Sequence, residues 1–362
     1  MNDLSERRPT REVMVGDVPV GGGNPVVVQS MTSTKTANVD ATVKQINELE
    51  EAGCELARVS VKDEEAARRL GEIKERINLP LIADIHFHYE LGLMAVEQGV
   101  DKVRINPGNI QTMDRAKEIV QACSDEGLAM RIGVNSGSLE EDILEKYGYP
   151  CADALVESAE KFIEHFEKWG FYDSIISLKS SQPPTAYKAY RKFSDRNDYP
   201  LHLGITEAGS LPKGAIKTAA GLGGLLMEGI GDTIRVSLTD DPVEEIPVAY
   251  DILQVTGRRV TEPDVVACPT CGRIEIDLEE IVDEVEERLG DRDLPIRISV
   301  LGCVVNGPGE AREADIGIAG GKGVGMLFRD GETIRKVDED EMVDALMEEI
   351  EKIEEEEEYA EA

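Results

Sequence analysis

The chain has 362 residues, 41% of them hydrophobic and 31% charged, and its formal net charge at pH 7 is −34. This length allows one large and one small domain, each with its own core, and the negative surface argues against nucleic acid or anionic lipid as partners. No apolar run reaches the roughly 18 residues of a membrane span, and the N-terminus lacks a secretion signal, so we expect a soluble cytoplasmic protein.

One pattern repeats eight times between about residues 24 and 255, in which a short β-branched run precedes a helical segment. Near-continuous apolar strands that alternate with helices predict a parallel sheet, and eight repeats predict closure into a (β/α)8 TIM barrel. A doubly wound open sheet would need a glycine-rich phosphate loop after its first strand, which ends instead in Gln29-Ser30-Met31-Thr32. The predicted strands are 25–31, 55–61, 79–86, 101–106, 129–134, 174–178, 201–205 and 232–238.

Helical periodicity predicts helices at 39–52, 64–76, 114–126 and 213–228, with two helices inside 139–170. A polar linker at 257–262 separates the barrel, residues 1–256, from a smaller α+β domain, residues 263–362. That domain is predicted to contain a helix at 277–289, strands at 296–301, 314–319 and 325–328, a hairpin at Asp330-Gly331 and a final helix at 339–351. The acidic run 354–358 is expected to fray or to be disordered.

Each predicted barrel strand ends in polar side chains, and in a TIM barrel the chemistry gathers at these ends. Five of them are cations, although the protein as a whole is strongly negative. Five cations at one rim repel one another unless an anion lies among them, and arginine forks suit the oxygens of a diphosphate. The alternative is that each cation pairs with a helix carboxylate as scaffolding. This cationic rim consists of Arg58, Arg104, Arg131, Lys179 and Arg235.

Uncharged and titratable groups accompany the cations at the strand ends. Asp84, His86 and Glu207 are the candidates for proton handling. A lone histidine beside an aspartate is more typical of a hydrogen-bonded positioning group than of a metal ligand. His202 lies within a predicted strand and is expected to be structural. The other polar residues at the strand ends are Ser30, Thr32, Ser60, Asn106, Asn135, Ser180, Thr206 and Ser237.

Only three of the six cysteines form a pattern, Cys268-x2-Cys271 and Cys303. Structural zinc needs four cysteine or histidine ligands, but no histidine follows His202, and Cys54, Cys123 and Cys151 are predicted at the wrong rim or in or beside helices. An iron–sulfur cluster accepts three thiolates and a different fourth ligand. The turn 306–310 would bring Glu310 towards Cys303. These residues favour a catalytic iron–sulfur cluster, with structural zinc as the alternative.

Six segments closely resemble signature segments of one family, the 4-hydroxy-3-methylbut-2-enyl diphosphate synthases of the methylerythritol phosphate route to isoprenoids. The resemblance runs in order from about residue 9 to 350 and matches the two-domain bacterial form. The segments are Val27-Val28-Gln29-Ser30-Met31-Thr32, Ala83-Asp84-Ile85-His86-Phe87, Arg104-Ile105-Asn106-Pro107-Gly108, Gly204-Ile205-Thr206-Glu207-Ala208-Gly209, Cys268-Pro269-Thr270-Cys271-Gly272-Arg273 and Gly302-Cys303-Val304-Val305-Asn306-Gly307-Pro308-Gly309-Glu310-Ala311.

The resemblance implies an oxidoreductase that opens the ring of 2-C-methyl-D-erythritol 2,4-cyclodiphosphate and releases 4-hydroxy-3-methylbut-2-enyl diphosphate and water. It implies that ferredoxin or flavodoxin delivers two electrons singly through one [4Fe–4S] cluster per subunit. It further implies a head-to-tail homodimer in which the cluster domain of one subunit closes the barrel of the other.

The resemblance also implies roles for individual residues. The implied cluster ligands are Cys268, Cys271, Cys303 and Glu310. Thr206 and Glu207 match positions near the reacting carbons, with Glu207 a proton donor. The runner-up is a non-redox TIM-barrel enzyme on a phosphorylated metabolite with a structural zinc lobe; a metal-stapled interaction protein without catalysis fits the cationic rim poorly. The implied diphosphate-binding residues are Arg58, His86, Arg104, Asn106, Arg131, Asn135, Lys179 and Ser237, to which the rim adds Asp84 and Arg235.

Overall fold

A computed structural model describes residues 6–86, 88–110, 112–290, 292–303 and 307–361. The chain divides into two compact units, Met1–Arg259 and Val260–Ala362. No helix in the described part is long and apolar enough to cross a membrane. Phe87 and Asn306, which belong to the motifs above, lie outside the described residues.

The first unit begins with an antiparallel hairpin of β1 (Glu12–Val15) and β2 (Val18–Gly21), which the sequence analysis missed. Its turn contains Gly16, whose φ of 61° favours glycine. The apolar side chains of the hairpin are buried against residues at the starts of the barrel strands. The hairpin therefore covers the N-terminal end of the barrel.

The hairpin is followed by eight parallel strands in the order β8-β7-β6-β5-β4-β3-β10-β9, which confirms the predicted TIM barrel. A parallel bridge between Ile176 and Leu201 links the two outermost strands. The last two strands are shorter than predicted, with two residues each. The strands are β3 (Val27–Met31), β4 (Leu56–Val61), β5 (Leu81–Ile85), β6 (Lys102–Ile105), β7 (Ala129–Asn135), β8 (Ser174–Lys179), β9 (His202–Leu203) and β10 (Thr233–Ile234).

Ten helices of the described part accompany these strands. The segment predicted as one helix at 64–76 is two short helices, and the segment 139–170 contains two helices as predicted, with Gly148 at φ 76° ending the first. They are α1 (Val39–Glu51), α2 (Glu64–Arg68), α3 (Leu70–Lys74), α4 (Tyr89–Glu97), α5 (Met113–Asp125), α6 (Glu141–Tyr147), α7 (Ala152–Lys168), α8 (Pro183–Ser194), α9 (Lys213–Met227) and α10 (Glu245–Val255).

Side chains along the barrel strands alternate between the helices and the interior. Outward residues such as Val59, Val103 and Ile132 are fully buried in the core beneath the helices. Inward residues near the strand starts pack on the hairpin, whereas those farther along are polar or charged. The interior is therefore apolar at one end and polar at the other. The apolar floor consists of Val27, Leu56, Ile82, Ala129 and Ile175.

The second unit is a mixed five-stranded sheet in the order β11-β12-β13-β14-β15, which agrees with the predicted α+β architecture. The first three strands are parallel and the last two antiparallel, with the predicted hairpin turn at Asp330 and Gly331, both at positive φ. The elements are β11 (Asp264–Ala267), α11 (Leu278–Leu289), β12 (Arg297–Leu301), α12 (Gly307–Glu310), β13 (Ile316–Gly321), β14 (Val324–Arg329), β15 (Glu332–Asp338) and α13 (Met342–Glu361).

The final helix continues through the acidic run 354–358, so the expectation of a frayed or disordered segment is wrong. Ile350 and Ile353 are buried in the core of the second unit. Arg292 Nη1 lies 2.7 Å from Glu354 Oε2. Burial of one face and ion pairs on the other therefore support the helix against repulsion among its glutamates.

Candidate active site

Asp84, on β5, lies at the centre of the polar end of the barrel. Its Oδ1 accepts a 2.8 Å hydrogen bond from Arg104 Nη1, and its Oδ2 lies 3.7 Å from Arg58 Nε and 3.7 Å from His86 Nε2. Burial alone would raise the pKa of this carboxyl, but the charges of Arg104, Arg58 and His86 hold it well below its usual value. Asp84 is therefore an ionised counterion that fixes two arginines of the rim.

Arg131 and Lys179 differ from Arg58 and Arg104 in having no counterion among the described residues, since none of these places a carboxylate within 4 Å of either side chain. Arg131 is 1% exposed, and its Nε and Nη1 atoms have no hydrogen-bond partner in the described part of the chain. Burial, followed by repulsion from neighbouring cations, lowers the pKa of both side chains. Buried cations without a counterion are costly, so this pair is suited to receive an anion.

Two glycines make room for the cations. A Cβ atom at Gly133 would lie 2.8 Å from Arg104 Nη2, and one at Gly204 would lie 2.8 Å from Lys179 Cε. Any larger residue would therefore displace a cation of the rim. Arg104 also donates a 2.9 Å hydrogen bond from Nη2 to the Gly133 carbonyl.

Arg235 is paired with a helix carboxylate, as the scaffolding alternative supposed for each cation. Its Nε and Nη2 atoms lie 3.2 and 3.3 Å from the two oxygens of Glu245, at the start of α10. The Ser30 hydroxyl donates a 2.8 Å hydrogen bond to the same carboxylate. Glu245 is not among the predicted site residues, because its position in the sequence gives no sign that it contacts a strand end.

The uncharged candidates occupy loops that follow the strands. Asn106 fixes its own loop, because its Nδ2 donates to Ser138 Oγ at 2.7 Å and its Oδ1 accepts from the Gly108 N–H at 3.2 Å. Asn135 ends β7 directly beside Lys179, its partner in the strand register. Ser237 is half-buried beyond the end of β10.

Thr206 and Glu207 lie in the loop after β9. Glu207 is exposed and has a φ of 54°, a conformation that side-chain-bearing residues rarely adopt. The Lys217 ammonium donates a 3.0 Å hydrogen bond to its carbonyl. Backbone strain of this kind concentrates at functional sites, which singles out Glu207 within the loop.

The cysteine pattern lies in the second unit, where β11 and β12 run parallel and end side by side. Cys268 directly follows β11, and Cys303 lies two residues beyond β12. The Gly302 N–H donates a 3.3 Å hydrogen bond to Cys268 Sγ. Hydrogen bonds from the backbone and side chain of Arg273 lower the pKa of the exposed Cys271 thiol. The parallel pairing of β11 and β12 thus brings together Cys268 and Cys303, which are 35 residues apart in the sequence.

A cavity of about 270 Å³ lies between the three cysteines. The three cysteines and Glu310 all line it, although the described residues contain no group of three or more Cys, His, Asp or Glu side chains placed to hold a metal ion. Val266, Ala267 and Leu301 form its apolar wall. The four sequence-predicted ligands therefore share one partly apolar cavity.

Both units of the chain are similar to domains of known proteins. The GcpE TIM-barrel domain model matches residues 10–250, and the GcpE protein C-terminal domain model matches residues 264–352. The chain belongs to the GcpE family. The family resemblance derived from the motifs is thereby confirmed.

Relatives within the GcpE family are similar over nearly the whole chain. Proteins of Geobacillus kaustophilus and Anoxybacillus flavithermus are each 55% identical to this chain. The alignments cover 98% of this chain in both cases, 95% of the Geobacillus protein and 98% of the Anoxybacillus protein. A protein of Bacillus cytotoxicus is 54% identical over 98% of the chain and 96% of the relative. All three are named 4-hydroxy-3-methylbut-2-en-1-yl diphosphate synthase (flavodoxin). A solved dihydropteroate synthase of Yersinia pestis aligns at 12% identity with a TM-score of 0.47, over 68% of this chain and 98% of that one.

One residue inside the barrel of this GcpE family member escaped the sequence analysis. Lys102 is fully buried at the start of β6, and its ammonium has no hydrogen-bond partner among the described residues. The signal was present, since Lys102 stands two residues before Arg104 in the same strand and so faces the same side as a cation of the rim. The predicted barrel site residues all lie at the ends of strands, whereas Lys102 is the first residue of β6.

Proposed function

We propose that the protein reduces 2-C-methyl-D-erythritol 2,4-cyclodiphosphate to 4-hydroxy-3-methylbut-2-enyl diphosphate, with flavodoxin or ferredoxin as electron donor. The names of relatives at 54–55% identity support this reaction. The observation that carries it is a pair of buried cations, Arg131 and Lys179, for which the described residues supply no counterion. They lie beside Asp84, which neutralises the neighbouring arginines. Such a site calls for a small polyanion.

Cys268, Cys271, Cys303 and Glu310 would hold a [4Fe–4S] cluster. The donor set fits it, because three thiolates and one carboxylate line a single cavity and one sulfur already accepts a backbone N–H. When bound, such a cluster supplies electrons one at a time and, at the iron that lacks a thiolate, a Lewis acid. Arg273 favours the thiolate form of Cys271 that ligation requires.

The barrel residues would bind and orient the substrate. Arg58, Arg131 and Lys179 provide charge for the phosphate oxygens, while Asp84 keeps Arg104 in one orientation through its 2.8 Å hydrogen bond. In ring opening the substrate takes up two electrons and one proton, and one hydroxyl leaves as water. A proton must therefore reach the departing oxygen, and Glu207 is the exposed acid that we propose for this step.

Arg131→Met is expected to weaken binding of the cyclic diphosphate by about 1–3 kcal/mol, or roughly 5- to 150-fold in Kd, because a charge-assisted hydrogen bond is lost while the volume is kept. Calorimetry without an electron donor measures the affinity. Arg191→Met, on the surface of α8 beside Glu228, is the matched control and should bind normally. Equal affinity of the Arg131 variant and the wild type would contradict the anion site.

Glu207→Gln is expected to lower kcat by about 10²–10⁴-fold and to change the substrate Kd little, because the amide keeps the shape but cannot donate the proton. Steady-state turnover and calorimetry together separate the two quantities. A kcat equal to that of the wild type would remove Glu207 from the proton path.

The proposed reaction is tested by reconstituting the full chain anaerobically with iron and sulfide. The expected result is about four iron and four sulfide per chain, as a [4Fe–4S] cluster requires, a brown visible spectrum, and conversion of the cyclic diphosphate with reduced flavodoxin. A colourless protein that holds zinc and does not turn over would instead favour the non-redox alternative.

We also propose that the protein works as a homodimer, as the family resemblance implies. Light scattering should give twice the mass of the chain. At substrate concentrations far below saturation, a mixture of Arg131→Met and Cys303→Ser proteins should turn over faster than the Arg131→Met protein alone if each active site takes residues from two chains. A monomeric mass, or a mixture no more active than the Arg131→Met protein alone, would contradict this arrangement.

A further inference from the structure

Lys102 occupies an unusual place in the barrel. It begins β6 level with Ile82 and Ala129, two residues of the apolar floor. Its neighbours Val103 and Ile105 face the helices, so the Lys102 side chain points into the interior. The residue is 0% exposed. Lys102 therefore lies between the apolar floor and the cations of the rim.

No described residue neutralises Lys102. Its Nζ makes no hydrogen bond, and no carboxylate lies within 4 Å among the residues that the structure describes. Asp84, the acidic side chain of the neighbouring strand β5, is already bound to Arg104 and Arg58. The hairpin side chains below are apolar. The ionisable groups that face this part of the interior are Arg58 on β4, Asp84 on β5, Arg104 on β6, Arg131 on β7, Lys179 on β8 and His202 on β9.

These neighbours disfavour the ammonium form. Burial, followed by repulsion from Arg131 and Arg58, lowers the pKa of Lys102 far below its usual value. His202 does not relieve this, because burial and the same cations depress its own pKa as well. An anion bound to Arg131 and Lys179 would cancel the repulsion that acts on the amine below them.

We propose that Lys102 takes up one proton when an anion occupies the cationic rim, so that anion binding and protonation of this buried amine are coupled. This inference rests on the proposed function, since it assumes that the rim binds a diphosphate. The proton moves from solvent to the amine lone pair, and no bond of the ligand changes. Lys102 acts here through Arg131 and is a positioning residue.

The coupling has a use in the proposed reaction. The cyclic diphosphate carries two negative charges, and ring opening adds a third to the product. A proton on Lys102 places an extra positive charge beneath the anion without a permanent cation in the empty barrel, where it would destabilise the fold.

The test measures proton uptake on binding of 2-C-methyl-D-erythritol 2,4-cyclodiphosphate to the full chain without an electron donor. Neither phosphate of this ligand titrates near neutral pH, so protons taken up belong to the protein. Calorimetry in two buffers of different ionisation enthalpy at pH 7–9 should give an uptake near one proton for the wild type. The affinity of the wild type for the cyclic diphosphate should then fall by up to about tenfold for each unit by which the pH rises, as linkage requires for the uptake of one proton.

Lys102→Met should bind with less proton uptake than the wild type and with an affinity nearly independent of pH. Lys44→Met is the matched control, since Lys44 is 77% exposed and paired with Glu48, and it should behave as the wild type does. His86→Gln removes the imidazole that faces the same anion and reports any share that His86 contributes. Lys102→Gln serves if the methionine variant does not fold.

Three outcomes are distinguishable. Wild-type protein that binds the ligand without proton uptake overturns the role of Lys102, whatever the variants do. Equal uptake in the wild type and in Lys102→Met also overturns it and assigns the proton to another group. Wild-type protein that does not bind the cyclic diphosphate overturns the proposed function itself.

Discussion

Cys303→Ser is expected to abolish turnover while the barrel still folds and binds the cyclic diphosphate. Serine keeps the size of cysteine, but its hydroxyl stays protonated at neutral pH and is a poor ligand for iron. Cys303 is 7% exposed and lines the same cavity as Cys268, Cys271 and Glu310. Among the described residues, the other two thiols that line this cavity are themselves proposed ligands, so they cannot take the place of Cys303. Iron content, visible absorption and turnover after anaerobic reconstitution measure the effect.

Cys151→Ser is the matched control for this prediction. Cys151 is a half-buried cysteine at the start of α7 in the other unit, and its loss should leave iron content and activity unchanged. Calorimetry of Cys303→Ser with the cyclic diphosphate shows whether the barrel is intact. Full activity of Cys303→Ser would refute its assignment as a ligand.

Asp84→Asn is expected to lower the free energy of unfolding by about 3–5 kcal/mol, because it leaves buried arginines without their counterion. Asparagine has the same shape, so the loss reports charge and not volume. The carboxylate lies 2.8 Å from Arg104 and 3.7 Å from Arg58, and it is 4% exposed. Urea unfolding of the full chain measures the difference.

The acid dependence of stability follows from the same group. The pKa of Asp84 is depressed in the folded protein, so its contribution is fully present above the unfolded pKa of about 3.9 and is lost as pH falls below it. The wild type should therefore lose stability below about pH 4 more steeply than Asp84→Asn.

Asp142→Asn is the control for this second prediction. Asp142 lies on the surface of α6, 2.7 Å from Lys161, and a pair of this kind contributes less than about 1 kcal/mol. If both variants lost the same small amount, Asp84 would not be the counterion that holds the rim together.

The barrel could be predicted from sequence because its signal is repeated eight times and each strand is apolar over most of its length. The hairpin β1–β2 could not be predicted, since its two strands of four residues each are too short to show a hydrophobic pattern and lie before the first repeat. The last two strands were predicted too long, because strand propensity does not show where a chain leaves its ladder.

The candidate site divides in the same way. The cationic rim was predictable because parallel strands all deliver their ends to one face. The sequence did not predict which cations of the rim are already neutralised by a carboxylate. The contact of Arg235 with Glu245, for example, joins a strand end to a helix and depends on how the two pack. The inward position of Lys102 on β6 was predictable from the alternation of the strand, but its complete burial was not, because that burial depends on the closure of the barrel.

The hairpin at the N-terminal end has a consequence for traffic through the barrel. The valines of the hairpin pack against the starts of the barrel strands and close this end, so an anion bound at the cationic rim would enter and leave on the rim side. In the proposed reaction, the product must leave by the same side before the next substrate enters. The affinity that captures substrate would therefore also retain product, and a proton that stays on Lys102 while an anion is bound would strengthen that retention.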